Sequence, residues 1–133
     1  MYLEHVNLVV PNIDDMLKFY RAAFPHWHVR DEGFSDWYGK SRKWLHFGDD
    51  EHYIAFCDNG EGVNRDLTGH SVGLAHFAYV TNDLAAVIDR LTNAGYDISN
   101  PGATEPFRKN VYFIDPAGFE VEFVEYQWGL LCT

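Results

Sequence analysis

The chain uses one short pattern twice. His5 lies in Leu3-Glu4-His5-Val6-Asn7-Leu8-Val9-Val10, and His76 lies 71 residues on, in Leu74-Ala75-His76-Phe77-Ala78-Tyr79-Val80-Thr81. The offset persists past the apolar stretch: Asn12 aligns with Asp83, Ile13 with Leu84, Leu17 with Ile88 and Tyr20 with Leu91. A match that runs from one element into the next points to a single unit used twice. Two copies give two equivalent histidines, and paired imidazoles facing one cavity can hold a metal.

Each copy spells the same order of elements. Residues 2–10 read as a buried strand ended by Pro11. Asn12 is a helix N-cap, followed by Asp14 and Asp15 in the first turn. Ile13, Met16, Leu17, Tyr20 and Phe24 recur at a helical period, and Pro25 stops the helix. Strand-like pieces follow near 27–32, 43–47 and 52–57, the last two joined by the turn Gly48-Asp49-Asp50. Residues 58–72 are polar, contain three glycines and have no period, which predicts a linker. The second copy starts with a strand over 73–81. Asp83 then caps a helix carrying Leu84, Val87, Ile88 and Leu91, with Gly95 as its stop. Ile98 lies in a short strand, Asn100–Asn110 reads as loop, and 111–114 with 119–126 form a hairpin about Asp115-Pro116-Ala117-Gly118.

The expected fold is therefore α+β: two pseudo-symmetric βαβββ modules, 2–57 and 73–126, within one domain of 133 residues, followed by a tail at 127–133. A four-stranded sheet cannot bury both faces alone, so the modules are expected to form a curved mixed sheet around a central metal-binding cleft.

Composition narrows the partners. Hydrophobic residues at 47% allow a substantial core, and aromatics at 17% serve a core, a ligand pocket or a subunit interface. A net charge of -10 argues against nucleic acid and against an anionic membrane surface. It leaves an anionic substrate open, because a metal can dominate the local field. Cys57 and Cys132 have no CxxC spacing and are expected to be free thiols in a reducing compartment. With no signal-like start and no apolar run long enough to span a bilayer, the expectation is a cytoplasmic protein.

A metal needs a third ligand, and the last strand offers Glu120, Glu122 and Glu125. Strand alternation puts Glu120 and Glu122 on one face, between apolar Val121 and Phe123 on the other. Ordinary solvent-facing acids fit the same pattern, and a lone strand histidine is usually a packed or surface residue. The residues by themselves leave these alternatives open.

Over residues 2–126 the chain resembles the vicinal-oxygen-chelate superfamily, which includes glyoxalase I, bleomycin-resistance proteins, fosfomycin-resistance proteins and extradiol dioxygenases. The resemblance rests on the paired modules, the histidine in each leading strand and the closing Asp115-Pro116-Ala117-Gly118-Phe119-Glu120-Val121-Glu122. It implies that the glutamate four residues after the turn glycine, Glu122, is the metal ligand, beside His5 and His76. It also implies a fourth ligand position on the last strand of the first half. Ala55 falls there, which departs from glyoxalase I, although Glu51 and His52 lie close by.

Two histidines and one carboxylate suit a divalent metal with open positions, Fe(II) in the first place, with Zn, Ni, Co or Mn as alternatives. Val111-Tyr112-Phe113-Ile114-Asp115-Pro116 matches part of the extradiol signature, giving Tyr112 a catalytic or orienting role. The histidine that signature expects before Val111 is missing from Ala103-Thr104-Glu105-Pro106-Phe107. His46 is the substitute candidate, and Tyr53, among the aromatics of the first half, joins it as a substrate contact. The expected function is an Fe(II) extradiol-type dioxygenase acting on a small vicinal diol or aromatic compound. The alternatives are a glyoxalase-like lyase, isomerase or thiol transferase, or a drug-binding protein of the bleomycin-resistance kind. A homodimer is expected by the same resemblance.

Overall fold

The structure, a computed structural model, describes residues 1–127. Cys132 and all of the expected tail beyond Gln127 lie outside the described residues. The chain divides into two compact units, one of Met1–Gly62 and one beginning at Val63.

In the first unit the order is β1 (His5–Val9), α1 (Ile13–Ala23), β2 (His28–Trp37), β3 (Lys40–Gly48) and β4 (Tyr53–Cys57). Their sheet runs β1-β4-β3-β2, with β1 parallel to β4 and the other pairs antiparallel. The second unit repeats this with β5 (Phe77–Val80), α2 (Leu84–Asn93), β6 (Ile98–Asn100), β7 (Arg108–Ile114) and β8 (Glu120–Tyr126), ordered β5-β8-β7-β6. Each unit is thus βαβββ with a four-stranded mixed sheet, as the repeat predicts.

The helices begin where their caps predict. The Asn12 side chain accepts from Asp15 N at 3.0 Å, and that of Asp83 accepts from Ala86 N at 3.1 Å. Gly95 ends α2 at φ +98°, a conformation that a side chain would resist, and Tyr96 N then reaches back to Leu91 O at 3.0 Å. Glu125 adds a second N-terminal partner to α2 from the neighbouring sheet, accepting from Leu84 N at 2.9 Å.

Alternation sorts each sheet into two faces. One face packs under the helix. In the first unit Leu8, Leu45, Phe47, Ile54 and Phe56 are buried there, with Tyr20 of α1 5.6 Å from Phe56 between ring centroids. In the second unit Val111, Phe113, Val121 and Phe123 are buried with Leu84, Val87 and Leu91 of α2. The opposite face holds His5, Tyr53, Ala55 and His46 in one unit, and Glu120, Glu122, Tyr112 and Asn110 in the other.

Three expectations need correction. The strand expected at 73–81 is confined to Phe77–Val80, so His76 stands just before β5 rather than inside it. The stretch 100–110 is not all loop: β7 already starts at Arg108, and Glu105 and Arg108 bond through their backbones across Pro106-Phe107. The pieces near 27–32 and 43–47 extend to one long hairpin whose loop is Tyr38-Gly39, with φ of 52° and 86°. Paired positive φ values make the tight turn that matches strand twist. Tyrosine is an unusual residue for that place, and Gly39 is the turn signal that the sequence offers there.

Candidate metal centre

The helix-free face of the second unit brings three expected site residues together. His76 Nε2 lies 3.4 Å from Glu122 Oε1, and the His76 ring meets the Tyr112 ring edge-on at 5.3 Å between centroids. Tyr112 is the cross-strand partner of Glu122. Glu122 is nearly buried (side chain 7% exposed), whereas His76 keeps 38% of its side chain exposed. A carboxylate in such a place needs partners. Two supply them: Arg108 Nη2 donates to Glu122 Oε2 at 2.9 Å and Asn110 Nδ2 donates to the same oxygen at 2.8 Å. Glu120 is partly exposed and pairs with Ile114 at the strand end.

The first unit collects the others. His5 stacks on Tyr53 at 4.4 Å, and Tyr53 stacks on His46 at 4.5 Å. His5 Nδ1 bonds to Glu4 Oε1 at 2.8 Å, and that bond lowers the Glu4 carboxyl below its ordinary range. With Nδ1 engaged, Nε2 is the nitrogen left for a ligand. A β-bulge between Val29 and Asp31 leaves Arg30 unpaired, and its guanidinium sits 4.6 Å from the Tyr53 ring centroid.

Register aligns the two units position by position. In the first sheet Asn7 pairs with Ala55 and His46 faces Ala55; in the second, Ala78 pairs with Glu122 and Tyr112 faces Glu122. Asn7 and Ala78 are separated by the same 71 residues as His5 and His76. Ala55 is therefore the first-unit counterpart of Glu122, and His46 the counterpart of Tyr112.

The donor set suits a divalent metal in chemistry. His76 Nε2 and Glu122 Oε1 stand farther apart than a charge-assisted hydrogen bond of about 2.7–2.9 Å. Two ligand atoms each about 2.0–2.2 Å from one metal would be separated by about 3.0–3.5 Å, and the 3.4 Å observed falls in that range. Among the described residues no three His, Cys, Asp or Glu side chains form a group that could hold a metal, and of the three expected ligands the structure brings together His76 and Glu122.

Titration follows the surroundings. Burial, then the Glu122 charge, raises the Tyr112 phenol, so Tyr112 keeps its proton at neutral pH. Burial lowers His46, which favours its neutral ring. Arg108 is raised chiefly by a hydrogen bond with Tyr126 and stays charged. Glu4, Arg30, Arg108 and Asn110 were not singled out from the sequence. Glu4 adjoins His5 and could have been; the other three are brought in by a bulge and by cross-strand register, which leave no local signal.

Known structures share this architecture. A glyoxylase/bleomycin resistance protein/dioxygenase domain from Frankia sp. is 23% identical, with 97% of this chain and 94% of that one covered at a TM-score of 0.78. A glyoxalase family protein from Enterococcus faecalis is 21% identical, with 93% and 97% covered at 0.76. The fosfomycin resistance protein FosX from Listeria monocytogenes, complexed with Mn(II) and sulfate, is 14% identical, with 99% and 98% covered at 0.67. At such identities the likeness is one of fold. No match was found among curated proteins. No described helix is long and apolar enough to cross a membrane. The paired βαβββ units agree with the sequence profile that matches residues 2–123, and the chain belongs to the Glyoxalase/Bleomycin resistance protein/Dioxygenase superfamily.

Proposed function

We propose that this protein is a divalent-metal enzyme, an Fe(II) extradiol-type dioxygenase acting on a small vicinal diol or aromatic compound. His76 and Glu122 are its ligands from the second unit and His5 its ligand from the first. Ala55 carries the reading. It is the counterpart of Glu122 by strand register and has no donor atom, so the ligand set stops at two histidines and one carboxylate. Bound there, Fe(II) would supply open coordination positions and redox chemistry with O₂.

The protein's own groups have separate tasks in this reading. Tyr112 Oη retains its proton and donates a hydrogen bond to a substrate oxygen. Neutral His46 accepts a hydroxyl proton, and Tyr53, held between His5 and His46, provides an aromatic wall. The setting proposed is the cytoplasm and the assembly a homodimer, for which light scattering that finds only monomer at micromolar concentration would count as refutation.

Metal analysis of protein purified without added metal tests the first step. Oxygen uptake by the Fe(II) form across a panel of catechols and other diols tests the second. No uptake, with isomerisation of a thiohemiacetal by the Ni(II) or Co(II) form, would replace the dioxygenase with a lyase. One observation favours a drug-binding protein instead: Arg108 already gives Glu122 a counter-ion at 2.9 Å within the protein. A chain that arrives free of metal and takes none up would support that alternative.

A further inference from the structure

Glu122 has two oxygens in different company. Both N–H donors, from Asn110 and Arg108, go to Oε2, and Oε1 is the oxygen beside His76. Asn110 is itself buried, at 7% exposure. Its amide is used at both ends: Nδ2 on Glu122, and Oδ1 accepting from Ala103 N at 2.9 Å. An amide bonded at both ends cannot flip without breaking one bond and orphaning a buried group. The loop that holds Oδ1 is tight. Asn100 Oδ1 accepts from Gly102 N at 2.8 Å, and Gly102 has φ +70° with no room for a Cβ against Asn110.

The first unit serves as an internal control. Trp44 occupies the place of Asn110, two residues before the cross-strand partner of Ala55. Where the carboxylate is absent, so is the amide.

We propose that Asn110 is a positioning residue for the metal-ligating carboxylate, locking Glu122 through Oε2 so that only Oε1 is presented beside His76 Nε2. This rests on the metal reading above. The lock makes Glu122 a one-oxygen ligand and spares a coordination position that a two-oxygen carboxylate would fill. Hydrogen-bonded partners of this kind orient ligands and tune the metal without touching it.

Co(II) binding to the full chain tests it, read by titration and by the visible absorption of the bound ion. Asn110→Leu keeps the branching of the side chain and removes both the donor to Glu122 and the acceptor for Ala103 N. It should weaken Co(II) binding about 10- to 100-fold and change the visible bands, because Oε2 then keeps only the partly exposed Arg108 as donor and can turn toward the ion. Val111→Ala, next in the strand on the helix-packed face, should lower thermal stability and leave the bands unchanged. If Asn110→Leu does not fold, Asn110→Ala, smaller and also without a donor, is read in the same way. Wild-type affinity and bands in whichever Asn110 variant folds would overturn the proposal. Wild-type Co(II) binding in Glu122→Ala would instead overturn the metal reading beneath it.

Discussion

The two units share a backbone plan and differ in what they mount on it. Both sheets have the same strand order and the same parallel pairing of first and last strands. On their helix-free faces the counterparts diverge: Ala55 against Glu122, His46 against Tyr112, Trp44 against Asn110. The first unit stacks rings, His5 on Tyr53 on His46, while the second gathers polar and charged partners around one buried carboxylate. The lesson is that a duplicated scaffold preserves the positions from which chemistry is mounted, and each copy then uses them differently.

The strongest way to break this contrast is to remove the second unit's carboxylate. Glu122→Ala should weaken Co(II) or Fe(II) binding by more than about 100-fold, since loss of a ligand exceeds loss of a supporting partner. Glu120→Ala should change binding little, and the reverse result in titration would refute the assignment. Next is the tyrosine that the first unit lacks. Tyr112→Phe should cut the oxygen-uptake rate about 10²-fold or more while the iron content of the purified protein stays unchanged. Equal loss of iron and rate would mean that Tyr112 supports the site instead of acting in it.

A milder change makes the units more alike. Ala55→Glu puts a carboxylate at the buried counterpart of Glu122, where Arg42 holds the place of Arg108 but the amide of Asn110 has no equivalent. Metal-free stability should fall by about 1–3 kcal/mol, the cost of an unsatisfied buried polar group. Metal should restore part of it, and oxygen uptake should drop because one open position is taken. Denaturant melts with and without Co(II) decide this.

The smallest expected effect lies in Glu125, which gives α2 a cap from the sheet that α1 is not shown to have. Glu125→Ala should cost about 1 kcal/mol, as for other caps. The Glu125 carboxyl is held below its usual range, first by the Leu84 N–H and then by Lys109. Its stabilisation is therefore present above the unfolded carboxylate pKa and is lost as pH falls through the lower folded value. Wild type and variant should converge in stability at acid pH, and a difference that persists there would show another cause.

Much of the fold was readable in advance. The repeat of His5 and His76, the caps Asn12 and Asp83 and the turn before Glu122 are local signals, since caps, turns and apolar periods act between residues near in sequence. They determined two βαβββ units and the strand that carries Glu122. Tertiary structure alone decided which oxygen of Glu122 is tied down, that Arg108 and Asn110 tie it, and that Arg30 covers Tyr53. Those contacts depend on antiparallel register and on a bulge, which join residues 12 and 14 apart, or 23 apart, with no mark in either segment. Sequence spacing can announce a strand and its faces; the neighbours of a buried carboxylate are chosen by how the strands align.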